Sequence, residues 1–271
     1  METGIVVVEK VGGKSTVTRC FSKYPVKLIV PNKVGSSKTD AVWIYTLSYG
    51  GGIVSGDRIS LSIGVGDGCT AAVTTQASTK VYKSVDSKCS EQALEARIGR
   101  NALLAIIPDP VTCYSTASGR HERGEKWEFE LYKSTNQIVL EEGQPLFLDS
   151  VLLEQGSACS IAERMQEYHV IAMVIMLGPK LKHVQNQVQE EVKKMMSRHF
   201  RVPTPTPGRY MRSESQSDAT RPAFVASCSA FGPQAIGVVV RIAAVTTESV
   251  YMFLRHHLAT LELFLGVTPY Q

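Results

Sequence analysis

The chain has 271 residues, of which 44% are hydrophobic and 20% charged, and a formal net charge of +4. That length supports one large domain or two modest ones with a sizeable core. The small charge excludes a strong field aimed at nucleic acid or an anionic membrane.

The opening METGIVVVEKVGGK lacks a continuous apolar core of the secretory kind, and the longest apolar run, Val170 to Leu177, falls far short of a bilayer span. A cytoplasmic protein is expected. The cysteines at 20, 69, 89, 113, 159 and 228 are spread too widely for a CxxC zinc or redox motif, so free buried thiols are the expectation.

Short extended segments dominate the first two thirds. Residues 4–9, 15–20 and 26–31 are punctuated by Gly12-Gly13, Pro25 and Pro31. Because proline cannot donate to a ladder, the segment between the two prolines is expected to be short or at a sheet edge. Trp43 to Tyr49, Ile59 to Val65 and Cys69 to Thr75 are β-branched or alternating, and the glycines at 50–52, 56, 64, 66 and 68 supply reversals between them. Two further strands, 93–98 and 102–107, flank a Gly-Arg-Asn turn, and Pro108-Asp109-Pro110 stops the second. Trp127, Phe129 and Leu131 alternate with polar residues, and 137–141, 145–153 and 170–177 continue the pattern.

Helical spacing appears only late. Leu181, Val184, Val188, Val192, Met195 and Phe200 mark one helix face between Pro179 and Phe200. Val250, Phe253, Leu254, Leu258, Leu261 and Leu265 mark a second over about 249–265, with Thr-Thr-Glu-Ser as its cap and Gly266 as its stop. Strands are expected at 224–230 and 236–245, and residues 201–222 are expected to be a mobile Pro/Ser-rich loop inside a single domain covering 1–271. No repeat of fixed length is visible. The fold class is mainly β: stacked sheets of short strands, solenoid- or sandwich-like, with two late α-helices.

Catalytic signals are weak. There is no GxSxG and no phosphate-binding GxxxxGK[ST], and the spacing of Cys113 and His121 carries little information about a dyad. His183, Gln187 and His199 share the first helix without an HExxH arrangement, and adjacent His256 and His257 point about 100° apart on the second. Each histidine is read as a surface or cap residue. Asp57, at the end of Gly51-Gly52-Ile53-Val54-Ser55-Gly56, has two readings. It is either a solvated turn aspartate, which a lone Gly-Asp pair favours, or a carboxylate placed at the mouth of a strand to meet an ion or a partner. Asp67, Asp109 and Asp149 are further isolated carboxylates, and spacing does not bring them together.

Taken together, GGGIVSGDRISLSIGVGDGCTAAVTTQASTKVYKS, IIPDP and SGRHERGEKWEFELYKS resemble the UreD (UreH) family of urease accessory proteins, in wording closest to plant members. The combination of GGxxxGD, TTQxxTKVY, PDP and GRxxxGE is specific, and VVVRIAAVTTESVYMFLRHHL looks like the family's C-terminal strand and helix. The resemblance implies a non-enzymatic scaffold that binds the urease apoprotein on one side and UreF on the other, UreF in turn holding the GTPase UreG. It also implies Ni²⁺ in transit through an internal tunnel, with no tightly bound cofactor and no nucleic-acid or membrane partner. Carried over by motif, the nickel route would include Asp57 of GGIVSGD, Thr79 of QASTK and Asp149 of LFLDSVLL. Weakly held oxygen ligands suit such a route, because clustered thiolates or imidazoles would trap the ion.

Two departures from the family pattern stand out. Arg58 sits where some members have an acid. The connection VTCYSTAS between Pro110 and Gly119 is short by about thirty residues, the equivalent of about two or three strands of typical length. The missing piece would carry one acidic residue of the tunnel. The alternative reading is therefore a shortened interaction module that binds UreF without supporting nickel transfer.

Overall fold

The computed structural model describes residues 2–31, 39–82, 85, 88–113, 132–140, 145–153, 168–199 and 222–270, without the side chains of 112–113, 132–140, 145–153 and 198–199. Two compact units are present: Met1–Arg164 together with Ala259–Gln271, and Met165–Leu258. The Trp127–Leu131 segment, His121, Cys159 and residues 201–221 lie outside the described residues.

The first unit is built from stacked coils. Strands β1 (Gly4–Val11), β2 (Lys14–Ser22), β5 (Arg58–Val65), β8 (Ser90–Ile98), β11 (Tyr132–Leu140) and β12 (Pro145–Leu153) form one sheet in the order β12-β11-β8-β5-β1-β2. A second sheet runs β3 (Val26–Ile29), β4 (Val42–Ser48), β6 (Thr70–Thr75) and β9 (Leu103–Ile107), and a third pairs β7 (Thr79–Val81) with β10 (Val111–Cys113). The chain visits all three in turn as β5-β6-β7 and again as β8-β9-β10, and like strands of the two coils pair in parallel. Arg58 opposes Glu91 and Thr70 opposes Leu103, each 33 residues on, while Thr79 opposes Val111.

That regular step is a repeat of geometry without a repeat of sequence. It also changes the meaning of the glycine turns. The sequence predicts reversals, but β4, β5 and β6 never pair as hairpins: each turn carries the chain around a corner into another sheet. Corners of successive coils rest on each other, with Gly68 N–H donating to the Arg100 carbonyl (2.8 Å) and Gly99 N–H to that of Val65 (2.8 Å). A Cβ on Gly99 would meet the Asp67 backbone nitrogen at 2.9 Å, so only glycine allows this stacking.

Inside the coils, in-register rows of aliphatic side chains form the core. Val6, Ile63 and Ala96 share one row, and Gly4, Leu61 and Leu94 another. Ile44 and Val73 make the matching row of the second sheet. All of these except Gly4 belong to one buried cluster. Burying a side chain such as Ile63 or Ile44 contributes about 1.5–3 kcal/mol. The proline-bounded β3 lies at an edge, as its prolines require. A short helix, α3 (Glu262–Leu265), packs near β6, and the Trp43 indole Nε1–H donates to the Leu265 carbonyl at 3.2 Å.

The second unit is a three-stranded antiparallel sheet, β13 (Val170–Leu177), β15 (Gly237–Ala244) and β14 (Phe224–Phe231), with β15 central. Helix α1 (Lys182–His199) buries Val184, Val188 and Val192, and α2 (Thr247–His257) buries Val250, Phe253 and Leu254. The predicted second helix is thus interrupted at Leu258. A 3₁₀ turn over Ala259–Leu261 separates α2 from α3, which ends at Gly266 with φ 82°. Thr246 caps α2 by accepting from Ser249 N–H at 3.3 Å.

Candidate functional site

The GGxxxGD motif closes on itself. Asp57 N–H donates to the Val54 carbonyl at 3.0 Å, and the Asp57 carboxylate accepts from Val54 N–H at 3.0 Å through Oδ2 and from the Tyr24 hydroxyl at 3.1 Å through Oδ1. Asp57 is only 8% exposed, so the solvated-turn reading is wrong: both oxygens face protein donors. The same carboxylate raises the Tyr24 hydroxyl above its ordinary pKa, first by accepting its hydrogen bond and then by its charge. The neighbouring Arg58 turns outward and lies 3.6 Å from Glu91.

The glycines of this motif have separate reasons. Gly56 adopts φ 81°, a left-handed conformation. Gly52 is extended, but a Cβ there would lie 2.6 Å from the Lys80 carbonyl oxygen, because Ile53 N–H donates to that carbonyl at 2.7 Å and Tyr82 N–H returns to Ile53 at 2.8 Å. The Gly-Asp turn is thereby fastened to the TKVY segment. Thr79, half-buried, opens β7 and donates its N–H to Pro110 of the PDP motif at 3.0 Å. Asp109 of that motif accepts from the Thr75 hydroxyl at 2.9 Å and donates its N–H back to it at 2.8 Å. Asp67 accepts from Arg100 N–H at 2.9 Å at a coil corner. Three of the four carboxylates picked out from the sequence thus fasten turns.

Asp149 stands in β12 opposite Asn136, in the register row of Leu94 and Leu61. Three strand spacings separate that row's end from β5, a lateral distance of about 14 Å. Asp57 and Asp149 therefore do not form one binding site, and only a path along the sheet would join them. Cys113 lies in β10 with its side chain undescribed, so the Cys113–His121 dyad falls outside the described residues. Of the described thiols only Cys69 is buried; Cys20 is exposed and Cys89 and Cys228 are half-buried.

A different cluster lies in the second unit. Glu191 of α1 meets both histidines at the end of α2: its Oε2 is 2.7 Å from His257 Nδ1 and 3.7 Å from His256 Nε2. The His257 side chain is 8% exposed and that of His256 74%. Both atoms of the shorter contact, His257 Nδ1 and Glu191 Oε2, are enclosed, and at 2.7 Å they form a close ion pair. Burial pushes His257 below its ordinary pKa, the Glu191 charge and its hydrogen bond to the ring work against that, and the neighbouring His256 adds to the lowering. The group opens into a cleft of about 470 Å³ that is also lined by Phe224, Phe253 and Lys194. Sequence reasoning assigned both histidines to surface or cap and missed the carboxylate on the other helix.

Comparison with known proteins agrees with the motifs. The family described as UreD urease accessory protein matches residues 3–118 and 115–271. Urease accessory protein D of Oryza sativa subsp. japonica is 60% identical over 291 aligned positions, covering 99% of this chain and 94% of that protein. Urease accessory protein D of Arabidopsis thaliana is 57% identical over 293 positions and 100% of both chains, and the UreD of Anaeromyxobacter sp. (strain Fw109-5) is 30% identical over 98% of this one. These relatives are named as accessory proteins and not as catalysts, which agrees with the lack of a catalytic motif and with a non-enzymatic role in urease maturation. The chain belongs to the UreD family of urease accessory proteins.

Proposed function

We propose that this protein is a cytoplasmic scaffold that helps deliver Ni²⁺ to the urease apoprotein, acting with UreF and, through UreF, with the GTPase UreG. Nickel is cargo in transit, not a resident cofactor, and its route passes Asp57, Thr79 and Asp149. The observation that carries the reading is the burial of Asp57: a carboxylate enclosed in a coiled β-structure, held by a motif characteristic of the family. One neutral donor on each oxygen leaves further lone pairs for a hydrated cation. No described helix is long and apolar enough to cross a membrane. The test is the nickel content of urease produced together with the accessory proteins. Asp57→Asn is expected to lower it while the complex still assembles; full loading with that variant removes Asp57 from the route.

A second reading, a shortened interaction module, is favoured by a specific observation. The alignment to the Arabidopsis protein spans 293 positions against 271 residues here, and the family match breaks where residues 115–118 overlap. The break follows β10, and β9 and β10 are the last described strands of their sheets, whereas the first sheet continues through β11 and β12. A module that binds UreF without passing nickel would co-purify with UreF yet fail to activate urease. Inserting the corresponding rice segment between Cys113 and Tyr114 should then restore activation. Activation by the chain as it stands would refute this reading.

A further inference from the structure

We propose that Glu191, His256 and His257 form a binding site for one divalent first-row transition-metal ion of the zinc, nickel or cobalt class. The inference does not rest on the route through Asp57, because all three residues lie within the unit Met165–Leu258 and the ion itself is the readout.

The geometry starts from an apparent obstacle. Adjacent helical residues project about 100° apart, which argues against both binding one ion. Here they offer different nitrogens, Nδ1 of His257 and Nε2 of His256, and the rings meet edge to face with centroids 4.8 Å apart. Both nitrogens thereby reach the same carboxylate from α1, and the three donor atoms lie within 4.8 Å of one another. Metal–nitrogen and metal–oxygen bonds of about 2.0–2.2 Å put neighbouring ligand atoms about 3.0–3.5 Å apart. The observed separations of 2.7 and 3.7 Å bracket that range. The third edge, between the two nitrogens, must shorten on binding, and the His256 side chain that would move is 74% exposed.

An ordinary buried histidine–glutamate pair does not account for the arrangement. Such a pair accounts for Glu191 and His257, 2.7 Å apart, but not for the second imidazole, His256 Nε2, that approaches the same carboxylate oxygen at 3.7 Å. Lone pairs converging on one point are what a cation satisfies. Two imidazoles and one carboxylate are borderline donors that suit Zn²⁺, Ni²⁺ or Co²⁺ better than Ca²⁺ or Mg²⁺, which take oxygen shells. The exposed side of His256 leaves remaining coordination positions to water in the cleft, so the site is open and exchangeable. Lys194, on the same cleft, opposes the ion's charge and weakens the site.

The test is calorimetric titration of the tag-free full chain with ZnCl₂ and with NiCl₂, accompanied by the absorption spectrum of the Co²⁺ form. One equivalent is expected to bind with nitrogen- and oxygen-type cobalt bands. His256→Ala, a substitution at an exposed side chain, should weaken binding by at least about tenfold while leaving metal-free thermal unfolding unchanged. Glu191→Gln should weaken it similarly, and Lys194→Ala should tighten it. Equal stoichiometry and affinity in the wild type and His256→Ala would overturn the proposal. So would the absence of wild-type binding into the millimolar range, or a cobalt–thiolate charge-transfer band that persists in His256→Ala.

Discussion

The Asp57 carboxylate has a structural task and a proposed transport task, and variants at this position can separate them. Asp57→Ala deletes both acceptors and leaves Val54 N–H without its partner. At about 1.5–3 kcal/mol for a hydrogen bond to a charged group, discounted because Val54 and Tyr24 are partly reached by water, the loss should be about 2–4 kcal/mol. For a unit of this size that lowers Tm by about 4–16 °C. Asp57→Asn is different. Its amide oxygen can accept from Val54 N–H, and its NH₂ can donate to the Tyr24 hydroxyl, which is free to reverse its role. The fold should therefore keep most of its stability while the charge disappears. Tyr24→Phe makes the opposite change, keeping the charge and freeing one oxygen. Thermal unfolding and the nickel content of co-produced urease are measured for all three. The expected order is normal loading with Tyr24→Phe, reduced loading with Asp57→Asn at nearly wild-type Tm, and reduced loading with Asp57→Ala at a lowered Tm. Loss of loading that simply follows Tm across the series would refute a role for the charge and leave Asp57 as a turn fastener.

Other outcomes follow from single contacts. Gly52→Ala drives a Cβ to 2.6 Å from the Lys80 carbonyl and should cost about 1–3 kcal/mol by urea unfolding, whereas alanine at Gly13, with nothing within 4 Å, should lose only what its φ of 78° imposes. Burial alone would raise the Asp40 carboxyl, but hydrogen bonds from Lys10 and from the Ser15 hydroxyl and N–H, with the Lys10 charge, hold it below its ordinary value. A lowered folded-state pKa stabilises above the unfolded value and is lost as pH falls through the folded one. Asp40→Asn should therefore be less stable than wild type at neutral pH, and the difference should fade in acid as the pH drops through the lowered folded-state pKa of Asp40, as followed by circular dichroism. Gln185, fully buried, donates from Nε2 towards the carbonyls of Met176, Gly178 and Ile236 at 3.4, 3.3 and 3.1 Å. Gln185→Glu should unfold more readily than Gln185→Ala, because it turns a donor into a carboxylate against three carbonyl oxygens; the reverse order would show that lost volume dominates.

The parts legible in the sequence are those whose signal is local and periodic. Ile59, Leu61, Ile63 and Val65 alternate and are buried as alternation requires, and Val184, Val188 and Val192 recur every fourth residue and line α1's buried face. β7 and β10 are three residues each, too short for any period to register, yet they complete the coil. Glycine turns specify that the chain changes direction, but not whether the next strand pairs with the last one or with a strand 33 residues away. That choice is made by stacking of whole coils. The histidine cluster is hidden for a related reason, since Glu191 and His257 are brought together only by the packing of two helices on a sheet. One local clue was present: His257 falls four residues after Phe253 and seven after Val250, on the face that α2 buries. An ionisable side chain on a buried stripe needs a partner. Here that partner is the Glu191 carboxylate, 2.7 Å away on another helix, and the convergence of His256 on the same oxygen is what the proposed ion would add to the pair.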